Sequence, residues 1–185
     1  MPILSACGDI HMRIRGDVIV SATITIAQRL VTLKVLVVDD DPTMCKVTRS
    51  LLWAIGVRTV YEANDGNSGL EAIRTFLPDV VIVDWEMPSP NGPEFVRMVR
   101  SPETFPLPDV PIIMMTGHGE RSRVIEAVNV GVNEFLLKPV STNALLGRFI
   151  SLIAKPRRMV RRGDYYGPEP RPLSRYKPEA EAAWS

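Results

Sequence analysis

Val80-Val81-Ile82-Val83 sets four β-branched apolar residues in a row and stops at Asp84. A run this short, with no polar alternation, describes a strand buried on both faces, which must be covered on both sides. Lys34 to Val38 and Pro111 to Met115 read the same way, and Thr59 to Ala63 and Glu134 to Leu137 complete a set of five. Amphipathic stretches lie between them. Thr43 to Ile55 starts at Pro42 and Thr43 and stops at Gly56; Ser68 to Leu77 follows an Asn64-Asp65-Gly66 turn and ends at Pro78. Pro93 to Arg100, Arg121 to Val130 (stopped by Gly131) and Thr142 to Ala154 (capped by Ser141 or Thr142) are the remaining helical patterns. The loop Ser101 to Asp109 holds three prolines and reads as extended. Strict strand–helix alternation implies an α/β, doubly wound, five-stranded parallel sheet with helices on both faces. Ligands of such sheets bind beyond the carboxyl ends of the strands, near the reversal of strand order.

The residues at those ends are few. Asp39, Asp40 and Asp41 follow the first strand; Asp84, Trp85 and Glu86 the third; Thr116, Gly117 and His118 the fourth; Lys138 and Pro139 the fifth. Carboxylates gathered at one sheet edge repel one another unless a cation sits among them. With only two cysteines and two histidines in the chain, that cation would be a hard, oxygen-ligated ion, magnesium or calcium rather than zinc. Magnesium explains the cluster, because open positions would remain for water and phosphate oxygens. Lys138 adds positive charge opposite the acids and Thr116 a hydroxyl donor, which together suit a phosphoryl group in transfer. Asp84 could act as the nucleophile and carry the group as an acyl phosphate.

At these motifs the chain resembles the receiver domains of bacterial two-component response regulators, of the single-domain, chemotaxis-regulator-like kind. The resemblance is carried by Val35-Leu36-Val37-Val38-Asp39-Asp40-Asp41, by Pro78 to Pro88 with Gly92, by Ile112-Ile113-Met114-Met115-Thr116-Gly117, and by Gly131 to Pro139. It implies a flavodoxin-like sheet in the order 2-1-3-4-5. It also implies that Asp84 is the phosphoacceptor. Asp40, Asp84 and the backbone carbonyl of Glu86 would hold Mg2+, with Asp39 supporting the ion. Lys138 would pair with the acceptor and then with its phosphate, and Thr116 would move to bind a phosphoryl oxygen. Phe135 would be the aromatic switch, turning inward when Thr116 moves, and Lys138-Pro139 would be a cis peptide. Glu86 and His118 stand where the family tunes loss of the phosphate. Implied partners are a sensor histidine kinase or histidine phosphotransfer protein. The downstream protein would dock on the face of the fourth predicted helix, fifth strand and fifth helix. Asp41 reads as a helix-start acid and Trp85 as partly exposed; Gly66 and Gly92 read as turn glycines.

Around residues 33–154, the expected domain, lie two flanks. Residues 1–32 are expected to hold little fixed structure, a small hairpin about Gly16-Asp17 being the alternative reading. Residues 155–185 form a basic, proline-rich tail, with eight Lys or Arg against four acids. It reads as solvated, or else as a docking segment using Tyr165-Tyr166 and its arginines. A net charge of +1 and no recognisable output domain argue against direct DNA binding. No apolar run is long enough to insert in a membrane, and Leu4-Ser5-Ala6-Cys7 lacks the flanks of a lipoprotein signal, so a cytoplasmic signalling protein rather than an enzyme is expected. Two other readings compete. A pseudo-receiver would bind without being phosphorylated. A haloacid-dehalogenase-type phosphatase would use Asp39 and Asp41, but its final acidic motif finds a counterpart only at Gly163-Asp164.

Overall fold

A computed structural model of the chain describes residues 25–170. The alternative hairpin about Gly16-Asp17 and the tail beyond residue 170 lie outside the described residues. The central sheet has five parallel strands, β1 (Lys34–Val38), β2 (Thr59–Ala63), β3 (Val80–Asp84), β4 (Ile112–Thr116) and β5 (Glu134–Leu137), in the order β2-β1-β3-β4-β5. Alternate residues of each strand feed two separate cores. Leu36, Val38, Val81, Val83, Ile112, Met114 and Phe135 pack on one face; Val35, Val37, Val80, Ile82, Ile113, Met115 and Leu136 pack on the other. The uninterrupted apolar runs are thus what a sheet covered twice requires.

Six helices supply the cover among the described residues: α1 (Ile26–Thr32), α2 (Pro42–Ala54), α3 (Gly66–Phe76), α4 (Gly92–Val99), α5 (Arg121–Val130) and α6 (Thr142–Ala154). Asp41, Asp65, Asn91 and Ser141 cap four of them through side-chain oxygens. Asp41 accepts from Thr43 N at 2.8 Å, so the helix-start reading of this acid holds. Glu120, at the start of α5, makes no side-chain cap bond, and the helix buries little beyond Ala127 and Val130. Gly92 is not a turn residue but the first residue of α4. A Cβ there would lie 2.4 Å from the Asp84 carbonyl oxygen, so glycine is what lets α4 start hard against the end of β3.

Both flanks depart from expectation. Residues 26–32, expected to lack structure, form α1, because Thr25 and Gln28 close a capping box and Leu30 is buried in the second core. The 101–109 loop is folded into turns rather than extended: Thr104 N and Phe105 N both donate to Ser101 O, and Phe105 is buried. After α6, β6 (Met159–Arg162) and β7 (Tyr165–Pro168) form an antiparallel hairpin about Gly163-Asp164. This hairpin docks against the amino-terminal ends of β4 and β5. Arg157 donates to the Val132 and Asn133 carbonyls, Tyr166 OH to Asp109, and Arg161 to Glu103. The Tyr165-Tyr166 pair therefore serves this chain's own fold, and the folded unit runs past residue 154.

The docking hinges on a glycine pair. Gly131 ends α5 with φ +95, and a Cβ on Gly167 would stand 2.8 Å from the Gly131 Cα. Beneath the contact Arg100 is 5% exposed, donating from Nε to Gly131 O at 2.9 Å and from its terminal nitrogens to Pro108 O, Val110 O (2.8 Å) and Asn133 Oδ1 (2.9 Å). Gly167→Val should force the hairpin away and cost about 2 kcal/mol, seen as a melting midpoint lower by roughly 4–8 °C in calorimetry. An unchanged midpoint would mean that the hairpin is not docked in solution.

Candidate functional site

Strand register brings the site together. Val38 pairs with Val83, Asp84 with Met115 and Thr116 with Leu137, so the residues following each strand finish at nearly one level. Backbone bonds carry the ladder one residue further: Asp39 N to Ala63 O (3.1 Å), Trp85 N to Met115 O (2.8 Å) and Lys138 N to Thr116 O (2.7 Å). Expected residues from four strands and nearly 100 positions of sequence thereby share one edge.

Asp39 and Asp84 are 1% and 4% exposed, while Asp40 is exposed; one carboxylate oxygen of each lies within 4.8 Å of the others. Lys138 Nζ sits between the two buried acids, 3.0 Å from Asp39 Oδ2 and 2.7 Å from Asp84 Oδ1. The other oxygens accept from the backbone: Asp39 Oδ1 from Asp41 N (3.0 Å) and Asp84 Oδ2 from Glu86 N (3.0 Å). Burial holds the Asp84 carboxyl above the usual aspartate range, against the lowering pull of Lys138. Burial also opposes the Lys138 charge, but its hydrogen bonds to Asp84 and Asp39 outweigh it and leave its pKa raised. Hydrogen bonding to the Thr43 backbone lowers the pKa of Asp41. Asp41 stands outside the three-acid group, its carboxylate occupied as a cap.

Thr116 is fully buried, and its Oγ1 accepts from His118 N at 3.1 Å. Phe135 is 9% exposed and packed in the first core, so the switch aromatic expected to turn inward is already inward here. Lys138-Pro139 is a cis peptide, as is Ser89-Pro90. Trp85, expected to be partly exposed, is only 4% exposed. Its ring is covered by the Arg123 guanidinium, 4.8 Å from the centroid. Glu86 and His118, expected near the site, meet there, with Glu86 Oε1 3.1 Å from His118 Nε2. Arg123 went unremarked in the sequence, since a stack between α5 and the loop after β3 leaves no trace in local spacing.

The donor set of the acidic group is all oxygen, with one exposed and two buried carboxylates brought within 4.8 Å of one another. That chemistry fits a hard divalent cation. A buried carboxylate, a neighbouring ammonium and a hydroxyl at one level also form an arrangement suited to phosphoryl transfer.

Comparison with known proteins agrees. Residues 35–149 match the response regulator receiver domain family. The chemotaxis protein CheY of Pseudomonas aeruginosa is 34% identical over 113 residues, 61% of this chain and 90% of that protein. CheY1 of Helicobacter pylori is 38% identical over 114 residues, 61% of this chain and 90% of its own length. Among solved structures, the chemotaxis protein CheY4 of Vibrio cholerae superimposes with a TM-score of 0.56 at 32% identity, covering 62% of this chain and 93% of that one. Sheet order, the acid–lysine edge and these relatives converge, and the chain belongs to the response regulator receiver domain family.

Proposed function

We propose that this protein is a phosphorylation-driven switch whose acceptor is Asp84. The observation that carries the reading is the Lys138 ammonium bridging Asp39 and Asp84 at 3.0 and 2.7 Å beside the exposed Asp40. One Asp84 carboxylate oxygen attacks phosphorus; the P–N bond of a phosphohistidine breaks, and the imidazole leaves with its electron pair and takes up a proton. Lys138 then moves its hydrogen bond from the carboxylate to a phosphoryl oxygen. The buried Thr116 hydroxyl, whose oxygen already accepts from His118 N, donates its proton to another.

Asp39, Asp40, Asp84 and the Glu86 backbone carbonyl would hold Mg2+, which when bound neutralises negative charge on the phosphoryl oxygens. Phosphate donors in this reading are a sensor histidine kinase or a histidine phosphotransfer protein, met in the cytoplasm. Output passes through protein contact at the α5–β5–α6 face. Phe135 remains the switch aromatic, its buried pose being one of two positions whose balance Thr116 shifts. A bias of a few kcal/mol suffices for that, the scale of new charge-assisted hydrogen bonds. The protein acts as a signal carrier rather than as an enzyme on an external substrate. The phosphatase alternative is disfavoured because Asp41 is committed to capping α2.

Intact mass after incubation with Mg2+ and acetyl phosphate should show one added phosphoryl group on wild type and none on Asp84→Asn. Labelling that survives this substitution, or wild type that binds magnesium but takes no label, would sink the acceptor assignment, and the latter result would favour a pseudo-receiver. The same substitution should also favour the fold, which keeps loss of label distinct from unfolding. A carboxyl whose folded pKa is raised favours the protonated form, so its contribution is fully present below the unfolded value of about 3.9. It is lost as pH rises through the folded pKa. In EDTA at pH 7, Asp84→Asn should therefore melt above wild type, and the gap should close on acidification below that window.

Lys138→Ala should slow labelling by about 100-fold, the scale of removing one fixed donor from a developing oxyanion. Stopped-flow labelling at saturating magnesium checks this, and an unchanged rate would remove Lys138 from the reaction.

A further inference from the structure

Glu86, His118 and Arg123 meet at the mouth of the site from three different segments: the loop after β3, the loop after β4 and the first turn of α5. Glu86 Oε1 lies 3.1 Å from His118 Nε2 and 3.7 Å from Arg123 NH2. The guanidinium also lies over the ring of Trp85, 4.8 Å from its centroid. All three side chains are partly exposed, so their contacts add little to stability. Their placement matters more than their strength.

Glu86 is two residues from Asp84, and its own N–H donates to Asp84 Oδ2. Unrestrained, its carboxylate would be a fourth acid beside Asp39, Asp40 and Asp84. Phosphoryl donors are anions, and a carboxylate free to swing across the entrance would oppose their approach. Arg123 is suited to prevent this. The guanidinium lies over the buried indole, and that contact lets it meet Glu86 with less loss of freedom than a fully solvated cation would.

We propose that Arg123 is a positioning residue for phosphoryl transfer: stacked on Trp85, it holds and neutralises the Glu86 carboxylate at the side of the entrance and keeps the site open to an anionic phosphodonor. The proposal rests on the acceptor reading above. It assigns Arg123 an effect on donor encounter and none on the transfer step, and it makes that effect conditional on the charge of Glu86.

The test is the magnesium-dependent labelling rate against acetyl phosphate concentration for wild type, Arg123→Ala, Arg123→Lys, Glu86→Gln and the Glu86→Gln/Arg123→Ala double variant. Arg123→Ala should lower the rate per unit donor at low concentration about two- to five-fold while leaving the limiting rate nearly unchanged. Raising the salt should shrink that difference. Arg123→Lys, which keeps the charge, should recover most of it. In the Glu86→Gln background, removing Arg123 should have no further effect. A loss confined to the limiting rate, or an equal loss in the Glu86→Gln background, overturns the proposal. Labelled wild type with an unshifted Arg123→Ala overturns it alone; wild type that takes no label overturns the acceptor reading and this proposal together.

Discussion

Asp39 and Asp84 lie almost out of reach of water, and a carboxylate at that depth either finds a countercharge or gives up its own. Lys138 is that countercharge, contacting both at hydrogen-bonding distance. At an effective dielectric constant of 20, two unit charges 4 Å apart interact by about 4 kcal/mol. One cation between two anions thus offsets their mutual repulsion and part of their desolvation. The balance is incomplete, since the Asp84 carboxyl stays above its ordinary pKa range. An edge left short of positive charge is suited to recruit more of it, and to exchange one anionic partner of Lys138 for another.

The opposite end of the sheet is secured by different means. Arg100, buried and with its pKa pulled down to about 10 by desolvation, makes four hydrogen bonds, to the Gly131, Pro108 and Val110 carbonyls and the Asn133 side chain. These bonds tie the end of α4, the folded 101–109 loop and the start of β5 into one cluster. The carboxy-terminal hairpin closes over it through Gly131 and Gly167. Helix α5 consequently runs between two unlike attachments. Its first turn meets the site through Arg123, on a face with no cap bond at Glu120 and little buried surface. Its last turn ends at a glycine pinned by the hairpin. The end nearest Asp84 is the freer one, which is the end a charge change at the acceptor can reach.

The sheet, its strand boundaries and the five acid, hydroxyl and amine positions at its edge were legible in the sequence, because each depends on local pattern. A doubly buried strand needs an unbroken apolar run, and the residue that ends the run must stand at the sheet edge. The capping role of Asp41 was equally local. The outer elements were not legible in this way. Seven residues from Ile26 to Thr32 make too short a pattern to signal a helix by themselves, and α1 exists because Leu30 finds a core to enter. The hairpin at residues 159–168 was hidden by basic, proline-rich composition, which matches a solvated tail as well as it matches a docked one.

What the sequence determined by itself was the kind of fold and the kind of chemistry, since periodicity and the end of each apolar run are properties of neighbours along the chain. Only the tertiary structure decided who meets whom across it. It buried Trp85 beneath Arg123, turned Tyr166 toward Asp109 instead of outward, set Gly167 against Gly131 and joined Glu86 to His118. Each of these contacts joins residues between 32 and 57 positions apart or on separate segments, and each depends on close approach. Distance in space is set by the packing of whole elements, which no local spacing of residues encodes.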